Sequence, residues 1–309
     1  MMAELIKGNC PNCGKPLEIP AELEEFSCLY CGKRSKSADL RVKKEVVEGE
    51  FETRRQELSE SLPKAVTRYP DYYKKITKKD FFATFEGYEN ENRSTVDSID
   101  ACVDACPDGE KAAVEILCKD FLDALDEHMM ADRRWSRASR QNAVLFETRV
   151  VLAIFFTPLV RKCGLRCAEE FRTELNRQWL ERYPKQVWTP GDYDVLAGGF
   201  KRRKWCFITT ATCSFEGKPD DCAELTAFRA FRDGWLTEHG GAELIAEYYD
   251  KAPGIVACIE LCDRPEECYA EIRERWLAPC YRALQEKHPQ ECRECYVDMV
   301  RTLEKRYLQ

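Results

Sequence analysis

The sequence predicts a mainly α-helical protein with a small β zinc ribbon at its N-terminus. Two Cys-x-x-Cys pairs lie within the first forty residues, and apolar residues from about residue 41 onward recur at three- and four-residue intervals. A chain of 309 residues with 44% hydrophobic composition also has enough material to bury a core. The expected order is a zinc ribbon over 1–40, a central helical domain over 41–183 and a linker over 184–204. A helical domain over 205–309, ending in a helical hairpin, completes it.

The ribbon rests on GNCPNCGKPLEIPAELEEFSCLYCGKR, which holds Cys10-x2-Cys13 and, fourteen residues further on, Cys28-x2-Cys31. A Cys-x-x-Cys turn lets two thiolates meet one tetrahedral ion, and a glycine directly after each pair (Gly14, Gly32) permits the tight backbone of a metal knuckle. Two knuckles joined by a short hairpin supply four ligands to one structural Zn2+ per chain. Such a site is closed, because four thiolates leave no open position for catalysis. Ribbons often serve nucleic-acid machinery, but here Glu18, Glu22, Glu24 and Glu25 lie between the knuckles. Through residue 40 there are five Lys/Arg against six Asp/Glu. That balance is not a phosphate-binding footprint, so a protein-docking or purely structural ribbon is expected.

The whole chain carries a formal charge of −7, which argues against a surface built for nucleic acid or anionic membrane. Met1-Met2-Ala3-Glu4 lacks the basic start and apolar run of a signal peptide. The longest apolar run, VVLAIFFTPLV (Val150–Val160), is too short for a bilayer, which needs about 20 residues, and reads as a core helix. No membrane partner is expected. Eighteen cysteines against three histidines, with four cysteines at metal spacing and no export signal, suggest a reducing cytoplasm in which most of the others are small core hydrophobes.

In the middle of the chain, Val114, Leu117, Phe121, Leu125 and His128 share a helical face that starts after Pro107-Asp108-Gly109. Phe171, Leu175, Trp179 and Tyr183 mark a second such helix, and Lys64–Phe85 also reads as helical. GYENENRS (Gly87–Ser94) reads as a polar loop. In DRRWSRASR, helical spacing puts Arg133, Arg137 and Arg140 on one face. A solvated basic face is the preferred reading, an anion or nucleic-acid stripe the alternative. The pairs Cys102/Cys106, Cys163/Cys167, Cys258/Cys262 and Cys292/Cys295 are considered for a second metal, but none combines knuckle spacing with a following glycine. The prolines and the glycine pair of PKQVWTPGDYDVLAGGFKRRK mark the linker.

Beyond the linker stands CFITTATC (Cys206–Cys213), ambiguous between a buried strand and the first turn of a helix. Ala223–Leu236 reads as helical, with Leu225, Phe228, Phe231 and Trp235 as its apolar stripe and Asp233 open to pairing with either Arg229 or a distant partner. Together, Cys206-Phe207-Ile208, Thr210-Ala211, Arg229 with Arg232-Asp233, and Tyr248-Tyr249 followed by a proline-containing turn resemble the CFI-box family of bacterial C-terminal modules, over about residues 205–260. The resemblance implies a sorting or processing element with no established enzymatic activity. In this chain the expected form is a cytoplasmic module used for binding.

Two chemistries are open at this segment. Thr209, Thr210, Arg229 and Arg232 can hold a carboxylate or phosphate, and the same arginines, if close, lower the pKa of Cys206. A cysteine-dependent acyl transferase or peptidase-like enzyme would use Cys206 as nucleophile and His239 as base. The bland alternative is a structural Arg–Asp network with Cys206 inert, and it is preferred. The tail predicts two helices, one carrying Tyr269, Ile272, Trp276 and Tyr281 with Pro279 bending it. The other carries Cys292, Tyr296, Met299, Leu303 and Tyr307, with His288-Pro289 at the turn. The leading functional expectation is a non-catalytic adaptor or targeting protein that docks protein partners through the ribbon and the CFI-box-like module. The alternatives are the cysteine enzyme and a nucleic-acid-binding protein.

Overall fold

The computed structural model describes residues 5–11, 15–37, 49–201, 206–262 and 264–309. An antiparallel hairpin pairs β1 (Leu5–Asn9) with β2 (Pro16–Pro20), Leu5 opposite Pro20 and Asn9 opposite Pro16. A second pairs β3 (Glu25–Ser27) with β4 (Arg34–Lys36). Cys10, and the pair Cys28/Cys31, therefore lie at the hairpin tips. Alternation along β2 turns Leu17 and Ile19 inward, and with Phe26, Cys10 and Cys28 they form a small core of their own.

From residue 49 the described chain is helices and loops. The first group is α1 (Glu50–Ser61), α2 (Lys64–Thr67), a 3-10 turn (Pro70–Lys75), α3 (Phe81–Asp104) and α4 (Glu110–Ala131). The protein is mainly α with a small N-terminal β element, as the sequence predicts. The loop expected over Gly87–Ser94 is instead the middle of α3. Its buried face runs Phe81, Phe85, Tyr88, Asn92, Val96 and Ile99, so the helical period passes through a polar residue. Asn92 is buried because its amide donates to the Tyr69 hydroxyl (2.9 Å) and the Tyr88 carbonyl (2.8 Å). In α4 the buried face ends at Met129 and His128 is exposed, which corrects the stripe drawn through the histidine.

Arg133 and Arg137 are not on a helix. They sit in the turn between α4 and α5 (Ala138–Val150), where Asp132 accepts the Arg134 N–H at 2.7 Å. An Asp that bonds the backbone two residues on offers an alternative to the helix and ends it. The Arg134 guanidinium forks between Asp132 and Glu147, so the one arginine with two carboxylates is the one outside the expected stripe.

The apolar run is a core helix. Arg140–Lys162 is long and apolar enough to cross a membrane by length and composition, but 78% of its apolar window is buried in the protein. Within it α5 passes through a π-helical segment (Val151–Phe156) into α6 (Thr157–Lys162). Pro158 has no N–H and its ring crowds the carbonyl four residues back, so the helix widens just before it. Ala153 O, which the proline leaves without an N–H, accepts from Gly191 N at 3.1 Å, and Leu152 O, already bonded by the Thr157 N–H, also accepts the Thr157 hydroxyl at 2.9 Å. A Cβ at position 191 would lie 2.1 Å from Ala153 O, which is why glycine stands there.

Residues 184–201, within the predicted linker, are docked along their length. The loop after α7 (Ala168–Arg182) presents its carbonyls to buried donors. Trp179 Nε1 takes Gln186 O (2.8 Å), Arg149 takes Val187 O (3.2 Å) and Asn176 takes Trp188 O (2.7 Å). Arg172 takes Gly191 O at 2.6 Å. Two buried guanidiniums are tolerated because carbonyls and, for Arg172, the Glu169 carboxylate receive their protons. Then α8 (Tyr193–Lys201) stacks Phe200 on Phe81, ring centroids 4.8 Å apart.

The last part comprises α9 (Phe207–Phe215), α10 (Ala223–Phe231) running on through a π segment (Arg232–Leu236), and α11 (Ala242–Glu260). It continues with α12 (Pro265–Ile272), a third π segment (Arg273–Leu277) and α13 (Ala278–Gln285), then α14 (Pro289–Tyr307). Pro279 again stands just beyond a π segment, as Pro158 does. The proline after Tyr248-Tyr249 does not make a turn: Pro253 lies inside α11. Next to it, Gly254 lets the chain at Ile76 come so close that a Cβ would be 1.7 Å from Ile76 O, and Asp250 O accepts Lys78 N at 2.8 Å. Buried apolar residues from Phe51 to Leu308 thus form one continuous core.

Candidate functional site

Two places carry the chemistry the sequence points to. The first is the cysteine cluster. Cys10, Cys28 and Cys31 bring their sulfurs within 4.8 Å of one another, with Cys10 Sγ and Cys31 Sγ 3.9 Å apart. Thiolates on a tetrahedral ion with bonds of about 2.3 Å stand roughly 3.8 Å apart, so the spacing fits one shared metal. The knuckle backbone is built for it. Cys10 N donates to Lys15 O (2.8 Å) and Cys28 N to Lys33 O (3.0 Å), closing both loops. Gly32 adopts a positive φ of 70°, and Tyr30 N donates to Cys28 Sγ at 3.4 Å. Cys13, the fourth expected ligand, lies outside the described residues. The triad can hold a metal ion.

The second place is the CFITTATC segment, which is helix α9 and not a strand. Cys206 precedes its first turn and is 3% exposed. The β-branched residues form a helix here because tertiary contacts outweigh their propensity. Ile208 N is held by the Tyr248 hydroxyl (3.0 Å), Thr209 pairs with the Tyr296 hydroxyl (3.0 Å), and Thr212 back-bonds to Ile208 O (2.8 Å). Tyr248 and Tyr296 are themselves buried deeply enough to push both phenols well up. These two tyrosines anchor the segment; the sequence placed Tyr248 in the motif and Tyr296 on a tail-helix stripe but gave neither its partner. Their signal was available, since each falls on an apolar stripe where a phenol needs a partner.

Of the residues singled out, the structure brings Arg232 to Cys206, with Arg232 Nη1 donating to the sulfur at 3.4 Å. Asp233 pairs with its own neighbour Arg232 (2.7 Å), not with Arg229 as the i−4 spacing suggested. Arg229 is instead bonded to Asp220, side chain (2.6 Å) and carbonyl (2.8 Å). The π widening at Arg232 explains the swap, because it rotates the following residues off the α-helical period. Burial pushes the Cys206 thiol up, and Arg232 and Arg229 pull it partly back. His239 is exposed, stacked on Trp235 with centroids 4.2 Å apart, and its Nδ1 lies 2.7 Å from Trp235 O. Thr210 keeps a buried hydroxyl with no hydrogen-bond partner among the described residues.

A different thiol has the more reactive setting. Cys268 on α12 feels the neighbouring Cys262 thiol and receives the Tyr307 hydroxyl at 3.3 Å, and together these hold it down to about 6. The shared proton pushes Cys262 correspondingly up. No motif marks this arrangement, because Cys262 lies in the bend after α11, Cys268 on α12 and Tyr307 at the end of α14. Comparison with protein-family models, curated proteins and solved structures finds no match to the chain.

Proposed function

We propose that the chain is a non-catalytic adaptor whose N-terminal ribbon binds one structural Zn2+ and docks a protein partner. The helical body, with its CFI-box-like segment over residues 205–260, is the cargo-bearing or targeting part, working in the cytoplasm. The observation that carries this reading is the placement of apolar surface on the ribbon. Leu29 and Tyr30 sit at the tip of the second knuckle, 91% and 62% exposed, and Leu5 and Leu23 are exposed elsewhere on the ribbon. Half of the eight large exposed hydrophobics among the described residues therefore lie on this small element. An apolar tip held rigid by a metal cluster, on an acidic surface, suits a protein groove better than a phosphate backbone. Nothing in the geometry favours the enzyme alternative: Cys206 is buried against an arginine and His239 is bonded elsewhere.

The test places a photo-crosslinking amino acid at position 30 in the full chain and irradiates it in cells. A discrete crosslinked protein is expected. Leu29→Ser with Tyr30→Ser should lose that protein while keeping one zinc per chain by elemental analysis. Crosslinks that are diffuse, or a partner retained by the double variant, would overturn the docking role.

A further inference from the structure

A cleft opens between the Arg232–Leu236 π segment, α11 and α14, and it lies outside the ribbon that carries the adaptor reading. It encloses about 660 Å³ counting its open mouth, and its enclosed part is narrow and slit-like. Cys206 and Tyr248 stand at its buried end, and Phe228, Phe231, Leu244 and Val300 wall it. The walls are nearly all apolar.

The charges are not balanced in the same way. Four ionic side chains line the cleft: Arg232, Arg293, Arg301 and Glu247. Arg232 is 8% exposed and forks onto Asp233, and Glu247 is paired with Lys251 (2.9 Å). Arg293 donates only to a carbonyl, His239 O (3.3 Å), and among the described residues neither it nor Arg301 has a carboxylate within 4.0 Å. Positions 293, 297, 300 and 301 share one face of α14, so the two arginines stand about 12 Å apart along it, at 1.5 Å per residue, with Val297 and Val300 between them. In a chain of net charge −7, this leaves an apolar slit bracketed by two guanidiniums free to meet an anion.

We propose that this cleft binds a slim amphiphile, an unbranched apolar chain ending in a carboxylate. The chain occupies the slit between Phe231, Leu244 and Val300. The head group meets Arg293 or Arg301 at the rim, where a planar guanidinium matches a carboxylate bidentately. The slit excludes broad ring systems by its width, and the arginines set the sign of the head group. No covalent step is involved, and Cys206 serves as apolar lining.

Decanoate and decan-1-ol, titrated calorimetrically into the zinc-loaded full chain at pH 7, test this. Decanoate should bind saturably, one per chain, and at least tenfold more tightly than the alcohol, since a charge-assisted bond of about 1.5–3 kcal/mol corresponds to roughly tenfold or more. Val297→Phe, at a half-buried position, should fill the slit and weaken both ligands at least tenfold. Arg293→Gln with Arg301→Gln, at rim positions, should remove the preference for decanoate and leave decanol unchanged. Absence of saturable decanoate binding, equal binding of the two ligands to the parent chain, or binding unaffected by Val297→Phe would each overturn the proposal. The readout is independent of the ribbon, so Leu29→Ser with Tyr30→Ser should bind decanoate as the parent does.

Discussion

The ribbon and the helical body solve the same problem with different means. The ribbon buries Cys10, Leu17, Ile19, Phe26 and Cys28, two of which belong to the cysteine triad that can hold a metal ion. The body buries an unbroken set of apolar residues from Phe51 to Leu308. Units of fewer than about 40 residues rarely fold on burial alone and use metals or disulfides instead. The body has no such need, and its remaining cysteines are mostly packing atoms. Burial pushes Cys102 and Cys258 up to about 12, so these thiols stay neutral and inert. Cysteine thus plays opposite parts in the two regions: clustered so that it can hold a metal ion in one, mostly a small hydrophobe in the other.

The sharpest way to break this comparison is to remove the zinc proposed for the ribbon. Structural zinc in comparable small sites supplies roughly 10–16 kcal/mol of apparent folding free energy. Chelation should therefore abolish amide protection over residues 5–37 in hydrogen-exchange mass spectrometry while leaving the helices of the body protected. A ribbon that stays protected, or a body that melts with it, would erase the distinction. The reciprocal test is Phe155→Ala. Phe155 is fully buried, with its ring 4.9 Å from Tyr72, 5.6 Å from Tyr88 and 6.0 Å from Phe81. Its loss should cost about 3–5 kcal/mol in denaturant unfolding of the body and leave the metal content at the parent value.

How much of this was legible beforehand follows the same division. The cysteine cluster was readable because its chemistry is local, two short spacings each with a glycine. Helices α4 and α7 were readable because their stripes are apolar. Helix α3 was missed over Gly87–Ser94 because Asn92 and Tyr88 face inward, and only the partners Tyr69 and Ala65, far off in sequence, make that affordable. The docking of 184–201 was equally hidden: prolines and glycines read as a boundary, while the donors that hold the loop lie on α5 and α7. Around Cys206 the residues were identified but their pairings were not, since the π segment at Arg232 has no proline to announce it.

Gly254 offers a smaller perturbation that separates packing from chemistry. Gly254→Ala must push back the Ile76 carbonyl, which would otherwise lie 1.7 Å from the new Cβ. The expected cost is about 1–3 kcal/mol, the usual range for overpacking a tight contact. A lowered denaturant midpoint with unchanged slope would show it. An unchanged midpoint would mean that α11 and the chain at Ile76 can separate without loss, and that the continuous core is weaker there than its burial implies.

The least costly experiment leaves the fold intact and reads the thiols themselves. Cys206 and Cys268 both accept a hydrogen bond, yet their settings push in opposite directions. At Cys206 desolvation outweighs the two arginines, so the neutral thiol is favoured and the sulfur stays buried. At Cys268 the neighbouring Cys262 thiol and the Tyr307 hydroxyl outweigh partial burial, and the thiolate is favoured from about pH 6 upward. Because its folded pKa lies below the ordinary thiol value, Cys268 adds stability that is fully present above that value and is lost as pH falls through about 6. Alkylation of the native zinc-loaded protein, followed by peptide mass spectrometry between pH 5 and 9, should label Cys268 from near pH 6 and Cys206 only on unfolding. Phe replacing Tyr307 (Tyr307→Phe) should shift the Cys268 onset upward and leave Cys206 unaffected. Early labelling of Cys206 would instead mark an activated thiolate beside Arg232 and return the enzyme alternative to the front. The two sulfurs, one walled in by its helix and the other fed protons by its neighbours, are the comparison of ribbon and body repeated at the scale of single atoms.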